Sequence, residues 1–83
     1  MAIPANLDED KLSESALAIL SLTASETNGV VRAWKGLDWD LMDLLHRKGW
    51  IHDPVGKSKS VVLTELGAQV APELLEHHFG RRR

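Results

Sequence analysis

Residues 45 to 67, LHRKGWIHDPVGKSKSVVLTELG, constrain the fold more than any other part of the chain. Gly49 stands where a helix that ends in a left-handed residue needs one without a Cβ. Trp50, one position on, can fold back on Leu45 to close a Schellman ending. Ile51 opens a short strand, and Asp53-Pro54 ends it because proline cannot donate to a ladder. VGKSK is a turn. SVVLT is a β-branched strand with Val61 and Leu63 on one face and Val62 on the other. Thr64 then caps a new helix, with Glu65 in its first turn. The stretch therefore predicts helix, β-hairpin, helix.

Two further helices frame it. Asp8 caps a helix expected to run to about Thr23, with Glu9 and Asp10 at its positive end. Leu12, Ala16, Ile19, Leu20 and Thr23 recur at helical spacing, and Leu17 and Leu22 widen the stripe. Asn28-Gly29 is a turn signal, and residues 30 to 35 are either a short strand or one helical turn. Asp38 caps the second helix, where Leu37 can staple onto Met42 and Leu41, Leu44 and Leu45 form the expected buried stripe. On the last helix Leu66, Val70 and Leu74 make one row and Ala71, Leu75 and Phe79 a neighbouring one. Pro72 should kink that helix and Gly80 should stop it. The expected organisation is an arm over residues 1–7, one domain over 8–80 and a basic tail over 81–83.

The run LMDLLHRKGWIHDPVGKSKSVVLTELGAQVAPEL resembles the recognition helix, wing and following helix of MarR-type winged-helix regulators. Those proteins carry a similar run of leucines, a Lys-Gly, an apolar strand, a basic wing and an LTE.G that opens the next helix. Across most of its length, with WKGLDWD and DPVGKSKSVVLTE, the chain is also similar to a family of small bacterial proteins known only as a domain of unknown function. The first resemblance implies an α+β, mostly α, winged-helix-like fold and DNA binding. The second implies no activity. The winged-helix pattern also places a positioning helix between Thr23 and Asp38, where ASETNGVVRAWKGL has room for one turn, so the expected fold is a degenerate one.

Length and composition narrow the partners. A core built from 83 residues is marginal by itself. With no cysteine, disulfides and thiolate metal sites are excluded. No apolar run approaches the roughly 18 residues of a membrane span, and MAIPANLDEDK lacks the basic-then-apolar pattern of a secretory signal. A cytoplasmic protein without a membrane role is the expectation. The net charge is −2, but residues 1–30 carry −4 and residues 31–60 carry +2. Such a chain offers a local basic face at most.

No catalytic, cofactor or metal site is expected. His77 and His78 point about 100° apart on a helix, and Glu73 with His77 supplies two corners of a metal site without a third. There is no glycine-rich phosphate loop and no G-x-S-x-G. Two sets of surface residues remain. Trp34, Trp39 and Met42 form a candidate protein-interaction surface, since aromatic residues and methionine are enriched at interfaces. Arg32, Lys35, Arg47, Lys48, Lys57 and Lys59 are the candidate nucleic-acid contacts. Asp38, Asp40 and Asp43 fall in the turns that a DNA-reading helix pushes toward phosphates, which would repel them. Protein interaction or homodimerisation is therefore the leading expectation, and a small DNA-binding regulator using its wing is the second.

Overall fold

The computed structural model describes residues 3–56 and 59–81. Three helices, α1 (Glu9–Ser21), α2 (Trp39–Arg47) and α3 (Glu65–Phe79), surround a sheet of β1 (Ser25–Thr27), β2 (Val30–Trp34) and β3 (Ser60–Val62). The sheet is antiparallel in the order β1-β2-β3. The fold is α+β, and the succession of α2, a loop leading to β3, and α3 is compatible with a winged-helix-like arrangement. In place of a positioning helix stands the β1–β2 hairpin.

The helix caps are local and follow from the sequence. The side chains of Asp8, Asp38 and Thr64 accept hydrogen bonds from the backbone N–H groups of Lys11, Asp40 and Gly67. Each satisfies a donor that the first helical turn leaves unpaired. At the end of α2 the Gly49 N–H donates to the His46 carbonyl at 3.0 Å and the Trp50 N–H to the Leu45 carbonyl at 3.1 Å. Gly49 has φ +78°. These two bonds are the Schellman pair.

Residues 24 to 37 resolve into something the sequence left open. Asn28 (φ 53°) and Gly29 (φ 80°) are both left-handed, the signature of a two-residue type I′ turn. Thr27 pairs with Val30, and Ser25 with Arg32. Beyond the turn, β2 pairs with β3 through Arg32–Val62, Ala33–Val61 and Trp34–Ser60. The second strand of the expected 51–63 hairpin is therefore the third strand of a larger sheet. Ile51 contributes only a single bridge to Leu63.

The core lies between the inner face of this sheet and the helices. Leu17, Met42, Leu45 and Ile51 are its largest fully buried apolar side chains. Three expectations need correction. On α1 the buried set is Ser13, Ala16, Leu17, Ala18 and Leu20, whereas Ile19 and Leu22 are exposed. Small residues turn inward because α1 packs against both α3 and α2 and touches β2, which demands close approach. On α3 the same constraint buries Gly67 and Ala71 and leaves Leu66 and Phe79 exposed. Met42, expected at the surface, is 1% exposed. It stands one helical turn from Leu45, so the 42/45 line faces the core while Leu41 is only partly buried. Helix α3 continues past Pro72, which lies on an exposed face.

One junction ties α2 to α3. The Thr64 hydroxyl donates to the Gly49 carbonyl at 2.6 Å and accepts from the Gly67 N–H at 3.0 Å. The Thr64 N–H donates to the Trp50 carbonyl at 3.0 Å. Gly67 lies so close to that carbonyl that a Cβ would collide with it, while a Cβ at Gly49 meets no atom but must adopt positive φ. Gly49→Ala should therefore cost about 1 kcal/mol. Gly67→Ala, which forces α3 off the Trp50 backbone, should cost more, about 1–3 kcal/mol. Urea melts of the two variants check the order.

Candidate interaction surface

Strand β2 alternates. Val31 and Ala33 turn toward the core, while Val30, Arg32 and Trp34 turn outward on the opposite face. Trp34 ends the strand and is 60% exposed, yet it is held firmly. Its backbone N–H donates to Thr23 Oγ1 at 2.9 Å, and the Thr23 hydroxyl donates in turn to the Leu20 carbonyl at 3.1 Å. The indole lies against Gly36, where any Cβ would run into the ring.

The ring separates two hollows. On one side Ile19, Leu20, Thr23, Gly36 and Leu37 form an apolar depression. On the other, an open hollow of about 500 Å³ is lined by Arg32, Lys59 and the hydroxyl residues Thr23, Ser25 and Ser60. Arg32 Nη1 donates to Ser60 Oγ at 3.5 Å. Neither Arg32 nor Lys59 pairs with a carboxylate among the described residues.

The other expected contacts are placed differently. Lys35 turns into the wing loop: its Nζ donates to the carbonyls of Pro54 at 2.6 Å and Gly56 at 3.2 Å, and it lies 5.7 Å from the centroid of the Trp39 ring. Trp39 is exposed. Arg47 pairs with Asp43 at 3.2 Å, and Lys48 with Asp10. The hydrogen bond to Asp10 holds the Lys48 ammonium above the usual lysine range, with the charges of Asp10, Glu14 and Asp8 adding to it and desolvation opposing. Because the folded value is raised, the stability linked to the Lys48 proton is present below the unfolded value of 10.5 and is lost as pH climbs through the folded one. Lys57 lies outside the described residues. Met42 belongs to the core, so the expected aromatic surface reduces to Trp34 and Trp39, and the expected basic set to Arg32 and Lys59.

Two features had no signal in residue spacing. His78 Nε2 lies 2.8 Å from Glu14 Oε1, linking α3 to α1 across most of the chain. The Thr23–Trp34 bond likewise joins residues that only the hairpin brings together. Among the described residues no three His, Asp or Glu side chains gather as a metal site. No helix among them is long and apolar enough to cross a membrane.

Fold and surface together define a small α+β domain, compatible with a winged-helix-like arrangement, with an aromatic, cation-flanked sheet face. The chain belongs to the family described as Domain of unknown function (DUF6429), whose match covers residues 8–81. It is 47% identical over 75 residues to the uncharacterized protein y4hR of Sinorhizobium fredii (strain NBRC 101917 / NGR234), spanning 90% of this chain and 97% of that one. No solved structure matches.

Because Gly36 is what lets the indole lie flat, Gly36→Ala should displace Trp34 while leaving the core alone. The expected result is a cooperative melt within about 1 kcal/mol of the parent, since the site is on the surface. The Trp34 indole N–H resonance in a nitrogen–proton correlation spectrum should move while those of Trp39 and Trp50 stay.

Proposed function

We propose that this domain is a non-enzymatic protein-interaction module, acting in the cytoplasm, that docks through the Trp34 face and assembles with a second copy of itself. The observation that carries this reading is a largely exposed indole that lies against Gly36 at a strand end anchored by Thr23. Aromatic anchors dominate interface energies, and a strand end fixed in advance leaves only the ring's own rotamers to be ordered on binding. The apolar depression beside it supplies further surface to bury. A core of this size also gains from association.

DNA binding is the second reading, favoured by Arg32 and Lys59, which line one hollow and meet no carboxylate among the described residues. Against it, the exposed side of α2 presents Asp43, and Arg47 and Lys48 are already engaged with Asp43 and Asp10. Few counterions are left for phosphates to release.

Sedimentation equilibrium across the micromolar range should show a dimer, and the melting temperature should rise with protein concentration. Trp34→Ala should weaken self-association roughly 30-fold, the scale of an aromatic hot spot. A 9.2 kDa species at every concentration, melting independently of dilution, would remove the reading. A nanomolar, sequence-dependent complex with genomic DNA fragments would restore the regulator.

A further inference from the structure

We infer that the free edge of β1, together with the groove between it and α3, binds an extended segment of a partner protein as a fourth strand. That segment carries a lysine or arginine, followed two residues later by an apolar side chain. The surface is separate from the Trp34 face, and the inference does not depend on it.

The sheet has two edges, and they are treated differently. On the β3 side Ile51 bridges Leu63, and the His52 N–H donates to the Val62 carbonyl at 2.9 Å. On the β1 side no such bond is made among the described residues. Antiparallel alternation fixes which groups are left over. The two-residue turn makes Thr27–Val30 a hydrogen-bonded pair, so Ser25–Arg32 is another and Glu26–Val31, between them, is not. The backbone N–H and C=O of Glu26 therefore point away from β2. An extended backbone laid alongside β1 satisfies both at once.

The side chains around the edge say what that backbone must carry. Glu26 shares a face with its partner Val31, the face toward α3, and lines two hollows. One, of about 320 Å³, extends past Ala24 and has apolar walls of Val31, Leu63, Ala68, Ala71 and Leu75. The other, on the Gly29 side, holds the carboxylates of Glu26 and Glu65, with His52 as its other ionisable group. Neither carboxylate pairs with a cation among the described residues. In an added antiparallel strand the residue opposite Glu26 shares its face, and the residue two further on lies over Ala24. The first position takes a cation and the second an apolar side chain that fills the groove. Because β1 is only three residues long, the backbone bonds supply alignment and these two side chains supply affinity.

A second copy of β1 is a poor occupant. Pairing Glu26 with its own copy sets like charges directly opposite, which is destabilising. Ser25-Glu26-Thr27 also brings no apolar side chain to the groove.

The probe is a heptapeptide capped at both ends, Ser-Val-Thr-Lys-Thr-Leu-Ser, in which Val, Lys and Leu share one face. It is titrated into the protein and read by nitrogen–proton correlation spectra and amide hydrogen exchange. Exchange of the Glu26 amide should slow on saturation, while that of Thr27, already bonded within the hairpin, should not change. Glu26→Lys, at an exposed position, or Glu in place of the peptide's Lys, should each weaken binding roughly tenfold or more; the two changes together should restore it. N-methylation of the peptide's Lys removes the donor to the Glu26 carbonyl and should weaken binding roughly tenfold. N-methylation of the preceding Thr, whose N–H faces away from β1, should not.

Binding that tolerates both methylations is groove binding without strand addition, and it overturns the inference. So do shifts centred on Trp34 in place of Glu26, or no binding at millimolar peptide. A Glu26 amide already slowed wherever the protein alone self-associates would give the edge to a second copy, and the partner strand falls.

Discussion

The structure depends on one contact between backbones. At the end of α2 the chain turns through Gly49, and the carbonyl of the next residue, Trp50, is pressed against Gly67 in the first turn of α3. Thr64 makes this approach tolerable, because its backbone N–H satisfies that carbonyl and its hydroxyl bridges the Gly49 carbonyl to the Gly67 N–H. An unpaired carbonyl buried at such a junction would cost about 1–3 kcal/mol. The two glycines serve different ends: one supplies a left-handed conformation and the other supplies room.

With α2 and α3 locked end to start, the intervening chain has little choice. Residues 50 to 63 must leave the junction and return to it, which seats Ile51 opposite Leu63 and brings β3 beside β2. The loop between them is then shaped from elsewhere, by the Lys35 ammonium on the carbonyls of Pro54 and Gly56. A cation that would serve phosphate binding in a wing is spent on holding the wing's shape. On the sheet, Arg32 and Lys59 meet no carboxylate among the described residues, and Trp34 lines both the basic and the apolar hollow.

How much of this was legible follows from how local each feature is. The three N-caps and the Gly49 ending were readable because each is decided within four or five residues. The β1–β2 hairpin was not, beyond its turn. Ser25-Glu26-Thr27 is polar and exposed throughout, so it carries no alternation to mark it as a strand. Helix faces were read too far toward the large residues. Ile19 and Phe79 satisfied helical spacing but are exposed, while Ser13, Ala18 and Gly67, outside the expected rows, are buried because close helix packing selects for small side chains. Met42 was misplaced for a related reason: an apolar arc of Leu41, Met42, Leu44 and Leu45 leaves open which of its flanks faces inward. The candidate surface was half legible. Exposure of Trp34 and Trp39 was foreseen, but pairing decided which lysines and arginines remain free, and that lies in three dimensions.

The Asn28-Gly29 turn sets the order in which the sheet can be assembled. Strands β1 and β2 are joined by two residues, and pairings that local form in about 1–10 μs. The β2–β3 pairing encloses residues 35 to 59, including the whole of α2, so its loop-closure entropy must be met before any contact repays it. The strand that bears Trp34 is thus templated early by its own hairpin, and β3 is added to an edge that already exists. The larger loop-closure cost falls on the arrival of β3.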